Sequence, residues 1–308
     1  MLPAPSPGAE RTLRARNPGP RPGWRLAGAV VAGLACLALA AAEAAAAEAV
    51  PAVPAATVVK DTRHYHFESD ASPERCTELG EELESLHAYL ERQFAGHIIA
   101  PPAPMRVRFF KERDGLLAYA AASCPDFKPG WFGYYSFGRT PADGELVAYD
   151  LGANHMVLYH EAFHQFMHRA YPAIRSYPQW FNEGMADVIG RGRLEHGDFT
   201  LAAAIDQPDL GLVRSAIKDG SALPLPKLLE LDLRAWNGEH MLLHYAEGYL
   251  FIIFLLSPGD ERRAGLLPAF FSELSKRQDY PAAFAVTLGA YGVRTLEGGF
   301  ARFLAAEH

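Results

Sequence analysis

Polar and apolar residues alternate over residues 63–69, where Tyr65 and Phe67 share one face and His64, His66 and Glu68 the other. That two-residue period predicts a half-buried strand, with His64 and His66 as surface residues rather than ligands. Residues 105–110 (Met-Arg-Val-Arg-Phe-Phe) predict a second strand. Between them Ser72-Pro73 opens a helix, with serine as N-cap and proline as its first residue. Its apolar stripe is Leu79, Leu83, Leu86, Tyr89 and Leu90, and it runs to about Phe94. A short helix follows over 113–122. Residues 131–137 and 145–149 then read as a hairpin turned through Pro141-Ala142-Asp143-Gly144. The hairpin leads into a helix that ends near Tyr171-Pro172, since proline cannot continue one. Asn182 reads as the N-cap of the next. Further helices are predicted over 202–220, 226–231, 239–256, 261–276, 281–288 and 295–306. This order predicts an α+β fold: a small N-terminal mixed sheet with helices packed on the central helix, then a mostly helical C-terminal half.

Residues 1–25 carry Arg11, Arg14, Arg16, Arg21 and Arg25 against the single acid Glu10, and an uncharged run follows from Leu26 to Ala42. A basic start, a short apolar run and Ala-rich small residues predict a secretory signal over 1–49, or an N-terminal anchor where it is not cleaved. Residues 50–62, rich in Pro and Ala, read as a tether, 63–150 as an N-terminal α+β part, and 151–308 as the central helices with the helical C-terminal part. The expected location is therefore periplasmic or extracellular, with membrane attachment only through that first segment. The net charge is −7, with no basic cluster in the body, which argues against nucleic acid as a partner. Cys76 and Cys124 remain after the signal; in an oxidising compartment an even pair reads as one disulfide, in a reducing one as two buried thiols, and the expected export favours the disulfide.

The chemistry concentrates in His160-Glu161-Ala162-Phe163-His164. Residues four apart lie one above the other on a helix, so His160 and His164 can offer two imidazole nitrogens to one tetrahedral ion. Glu161 lies beside them as a carboxylate able to reach a water on that ion. With twelve His and thirty-six Asp plus Glu in 308 residues, chance supplies this pattern at most about 0.05 times. His160, His164, His168 and Glu161 fall within one arc of about 100°, while Met156, Tyr159, Phe163, Phe166 and Met167 fill the opposite side. Such a strip on an apolar helix predicts groups facing a cleft. Glu183 and Asp187, again four apart, follow after a turn. Glu183 completes a two-His, one-Glu set that leaves one position open, and Asp187 can take the free N–H of a ligating histidine.

These residues resemble the gluzincin metallopeptidases, the group that includes thermolysin and aminopeptidase N, which share His-Glu-x-x-His followed some twenty residues on by Glu-x-x-x-Asp. The resemblance implies a zincin-like fold, Zn²⁺ held by His160, His164 and Glu183, Glu161 as general base, and a peptide or protein substrate. The metzincin pattern needs Gly and His where this chain has Met167 and Ala170, which excludes it and leaves His168 outside the ligand set. Tyr245-Ala246-Glu247-Gly248 resembles the Tyr-x-Lys-Gly stretch of aminopeptidase N relatives, which implies Tyr245 as oxyanion donor. The Gly-x-Met-Glu-Asn motif of those aminopeptidases is missing, Gly152-Ala153-Asn154-His155-Met156 being the nearest string, so their activity on amino termini does not carry over. Over roughly residues 60–306 the chain is most similar to bacterial peptidase-MA-like domains. They share the tyrosine-rich hairpin, Trp-Phe-x-Glu-Gly-Met-Ala, and a closing pattern like that from Leu288 to Phe300. The rival expectation is a non-catalytic envelope protein with a structural or vestigial zinc site and a helical docking surface.

Overall fold

The computed structural model describes residues 29–30, 52–94, 104–128, 130–171, 177–202 and 204–306. The expected signal over 1–49 therefore lies outside the described residues, apart from Ala29–Val30. Five strands, β1 (Val58–Asp61), β2 (Tyr65–Ser69), β3 (Met105–Phe110), β4 (Gly133–Ser136) and β5 (Glu145–Tyr149), form a mixed sheet in the order β1-β2-β3-β5-β4. Ala29–Val30 pairs along the outer side of β4 as a sixth, two-residue strand. β2, β3 and β5 run parallel to one another, while β1 and β4 pair antiparallel on either side of them. Parallel neighbours need a crossover, and α1 (Pro73–Gln93) and α2 (Arg113–Ser123) supply them. The chain is α+β, as its element order predicts.

Alternation along the strands decides what each face covers. Tyr65, Phe67, Val107, Phe109, Leu146 and Ala148 point into the main core, beneath α1 and α3 (Met156–Ala170). Phe110, Tyr134 and Val147 point the other way and pack with Leu116, Ala120 and Cys124 of the α2 region. The helix α1 starts as its sequence predicts, with Ser72 Oγ accepting from the Arg75 N–H at 3.2 Å and Pro73 in the first turn. Its Leu79, Leu83, Leu86 and Leu90 are buried at helical spacing.

Several expectations are corrected. Residues 58–61 of the predicted tether are a strand, held by β2. Asn182 is no N-cap: α4 (Gln179–Gly190) starts three residues earlier, after Pro178. The stretch after α4 makes a hairpin of β6 (Arg193–Glu195) and β7 (Asp198–Thr200), with His196 at φ 54° and Gly197 at φ 89°. Positive φ at both residues of a two-residue loop suits the twist of the paired strands. The helix expected from 202 is α5 (Gln207–Asp219), because Asp206 caps it through the Asp209 N–H at 3.2 Å. Cys76 and Cys124 are free thiols in separate clusters, so the expected disulfide is not formed.

The remainder is helical: α6 (Leu225–Glu230), α7 (Leu233–Trp236), α8 (Met241–Leu256), α9 (Glu261–Ala264), α10 (Leu266–Arg277), α11 (Tyr280–Phe284) and α12 (Val293–Ala306). Among the described residues no single helix is long and apolar enough to cross a membrane, and the apolar end of α8 is buried at Phe251, Ile252, Phe254 and Leu255. Three helices stack in sequence order, α3 on α4 and α4 on α8. The second contact is close because glycine meets glycine. A Cβ on Gly184 would stand 2.6 Å from the Gly248 carbonyl oxygen, and one on Gly248 would stand 2.8 Å from the Trp236 ring.

Candidate metal centre

All of α3 from Val157 to Ala170 is buried. The strip of histidines does not face an open cleft, as its pattern predicts: His160 and His164 turn toward α4. So apolar a helix can carry buried imidazoles because partners replace water, from α4 for His160 and His164 and from β4 for His168. His160 Nε2 lies 3.4 Å and His164 Nε2 3.6 Å from Glu183 Oε2, and none of these three buried atoms has a hydrogen-bond partner. One ligand atom from each of His160, His164 and Glu183 lies within 4.8 Å of the others, so the three could hold a metal ion.

The opposite ring nitrogens are both occupied. His160 Nδ1 meets Asp187 Oδ1 at 3.0 Å, and His164 Nδ1 meets Asn182 Oδ1 at 3.2 Å. In the neutral rings, nitrogens whose partners accept hydrogen bonds carry the protons, which puts the lone pairs on the Nε2 atoms facing Glu183. Asn182 also donates from Nδ2 to Glu183 Oε1 at 3.0 Å, which turns Oε2 toward the imidazoles. Sequence reasoning missed this residue by reading it as a cap. The signal was an amide directly before the carboxylate in an otherwise apolar turn, Trp180-Phe181-Asn182-Glu183.

Behind Asp187 lies Arg191, likewise missed. Its Nη1 stands 3.5 Å from Asp187 Oδ2, its Nη2 pairs with Asp209, and its guanidinium stacks 4.1 Å above the Tyr249 ring. Tyr249 thus belongs to this support. His168 stands apart from the cluster, its Nδ1 2.8 Å from the Tyr135 hydroxyl on β4. His244 is turned away, with Nδ1 3.0 Å from the Trp236 carbonyl oxygen.

Electrostatics follow from burial and three carboxylates. Burial opposes charge on His160, but Asp187, Glu183 and Glu161 overcome it and raise its pKa. Burial dominates at His164 and lowers its pKa, although Glu183 pulls the other way. Burial would raise the Glu183 pKa, yet the two imidazoles beside it, His164 and His160, hold it at about 2. Glu161 is fully buried, and its charge reaches Cys124 and Tyr245. Tyr245 sits on α8 with its ring buried. Burial first, then the charges of Glu183 and Asp187 and a hydrogen bond with Glu183, push its pKa well above the ordinary value. It therefore stays a protonated hydroxyl.

Two imidazole nitrogens, one carboxylate oxygen and a protonated phenol thus converge, each drawn from a different turn of three helices. Comparison adds no relative. No family model matches the chain, and no curated protein matches it. The arrangement stands on its own chemistry. Two imidazoles with one carboxylate are a donor set suited to a divalent transition-metal ion. Cysteine takes no part here, Cys124 being within range of Glu161 but outside the ligand group.

Proposed function

We propose that this chain is an exported zinc-dependent peptidase of the gluzincin type, with a zincin-like arrangement of sheet edge and motif helix. The observation that carries the reading is the convergence of three buried, partnerless donor atoms from His160, His164 and Glu183, with Glu161 in the same turn. His160, His164 and Glu183 would hold Zn²⁺. When bound, zinc supplies Lewis acidity that brings the pKa of water to about 7.

Glu161 takes the proton from the attacking water as its oxygen bonds to the peptide carbonyl carbon. It then passes that proton to the amine nitrogen as the C–N bond breaks. Tyr245, protonated throughout, donates its hydroxyl hydrogen to the developing oxyanion. Asp187 and Asn182 keep the two imidazoles in the tautomer that presents Nε2, and Arg191 holds Asp187. An extended peptide backbone is the substrate that best fits a helix lying beneath an antiparallel outer strand, β4, next to which Ala29–Val30 already pairs.

Glu161→Gln tests the assignment. The variant is expected to keep stoichiometric zinc by elemental analysis and to lose at least about 100-fold in hydrolysis of a peptide library. Equal hydrolysis by both proteins removes Glu161 from its role. The depth of the cluster favours a second reading, a non-catalytic envelope protein whose metal ties α3 to α4. That reading predicts chelator-sensitive stability with no hydrolysis of peptides, unfolded protein or cell-wall fragments by the wild type.

A further inference from the structure

On the side of α3 turned away from its histidines, Phe166 meets the edge of a second imidazole cluster. His87, buried on α1, has its ring centroid 5.4 Å from Phe166 and 5.9 Å from Tyr65, both edge-on. Against its face lies His64, from the turn between β1 and β2, with centroids 3.9 Å apart and planes 15° from parallel. Glu91, four residues along α1, brings Oε1 to 3.5 Å from His87 Nε2. We infer that His64, His87 and Glu91 form a second binding site, for a divalent transition-metal cation of the zinc, cobalt, nickel or copper type.

Four observations carry this inference. One ligand atom from each of the three residues lies within 4.8 Å of the others. The His64 ring is held from behind, because Glu84 Oε2 lies 2.6 Å from its Nδ1. The other oxygen of Glu84 accepts from the His64 backbone N–H and the Thr62 hydroxyl, each at 2.6 Å. A carboxylate on Nδ1 places the proton there and leaves Nε2 with its lone pair, the arrangement that orients histidine ligands in metal sites.

The other two concern His87 and access. His87 Nδ1 is buried with no hydrogen-bond partner, so the protein commits neither ring nitrogen except toward Glu91. The Glu91 side chain is 44% exposed and that of His64 18%, which gives an ion an entry path. Two imidazoles with one carboxylate select borderline metals over calcium or magnesium, which take oxygen sets. Occupied, the site clips the β1–β2 turn to the C-terminal half of α1. His64, expected as a surface residue, is half-buried against His87.

The test measures metal uptake by chelator-stripped full chain in equilibrium dialysis against micromolar Zn²⁺ or Co²⁺. The wild type is expected to bind two equivalents, and His164→Ala, which breaks the first centre, one. Adding His64→Asn or Glu91→Gln to His164→Ala should weaken the remaining equivalent by at least about tenfold. Glu91→Gln changes an exposed side chain, so it separates ligand loss from misfolding, which circular dichroism checks. The inference is overturned if His164→Ala binds no metal, or if His164→Ala/Glu91→Gln binds it as tightly as His164→Ala. It does not depend on the peptidase reading and survives that reading's failure.

Discussion

Gly184 stands next to the carboxylate that closes the first metal set, and its lack of a side chain is a structural requirement. In Gly184→Ala the new methyl carbon would stand 2.6 Å from the Gly248 carbonyl oxygen, 2.8 Å from its carbon and 3.0 Å from Ile252 Cγ1. Two of the three obstacles are backbone, so no rotamer change relieves them. Reaching ordinary contact requires α4 and α8 to part by about 0.8 Å. Overpacking of this kind costs about 1–3 kcal/mol. Alanine gains about 1 kcal/mol over glycine in helix propensity, which hides part of that cost. Gly211, on α5 with nothing within 4 Å of its Cβ position, provides the control.

Gly211→Ala receives the propensity gain alone and is expected to stabilise by about 1 kcal/mol. The difference between the two variants isolates the helix contact at about 1–3 kcal/mol. In urea denaturation of chelator-treated proteins it appears as a lower midpoint for Gly184→Ala, and in thermal melts as about 2–4 °C per kcal/mol. Because Glu183 and Tyr245 ride on the two helices that separate, zinc affinity should fall in the same variant. Equal stability of Gly184→Ala and Gly211→Ala would refute the reasoning, and with it the claim that backbone contact sets the spacing of α4 and α8.

Other expectations concern single groups. Asp187→Asn should weaken zinc binding about 10–100-fold, measured by chelator competition, and an unchanged affinity would show that Asp187 does not orient His160. Tyr245→Phe should lower kcat by about 100-fold or more with little change in KM, and a selective rise in KM would make it a substrate-binding residue instead. Glu82 joins α1 to the start of α3, with Oε2 2.7 Å from the Tyr159 hydroxyl and 2.6 Å from His155 Nδ1. Burial would raise the Glu82 pKa, but hydrogen bonds from His155 and Tyr159 lower it, so its contribution is present above 4.5 and lost as pH falls. The hydrogen bond to Glu82 raises the His155 pKa, so that contribution is complete below 6.5 and lost as pH rises through the raised value. The stability of wild type over Glu82→Gln should therefore peak between about 4.5 and 6.5 in urea midpoints taken across pH, and a flat profile would contradict it.

What was legible in the sequence was what helical periodicity enforces. Residues four apart must share a face, so the pairs His160 with His164 and Glu183 with Asp187 had to present together, and the structure brings the first pair to Glu183. Strand alternation at Tyr65 and Phe67 was equally local, and so was the Ser72-Pro73 helix start. What escaped depended on contacts between distant segments. Asn182 looked like a cap because its partner, His164, lies 18 residues away. Val58–Asp61 looked like a tether because its pairing depends on β2 rather than on its own composition. The two thiols suggested a bridge because counting cysteines ignores that the sheet lies between their clusters. The meeting of His64 with His87 was invisible for the same reason: it needs the β1–β2 turn laid against the far end of α1.

One amide closes the first centre from behind. Asn182 presents its oxygen to one imidazole and its NH₂ to the neighbouring carboxylate, so a single planar group answers both an N–H and an anion. Aspartate has the same outline but only acceptors, and would set a second anion about 3 Å from Glu183 with both side chains buried. The substitution smallest in volume is thus among the most disruptive there. Slow hydrolysis of that side-chain amide, an ordinary route of protein ageing, would disable the centre without altering its shape.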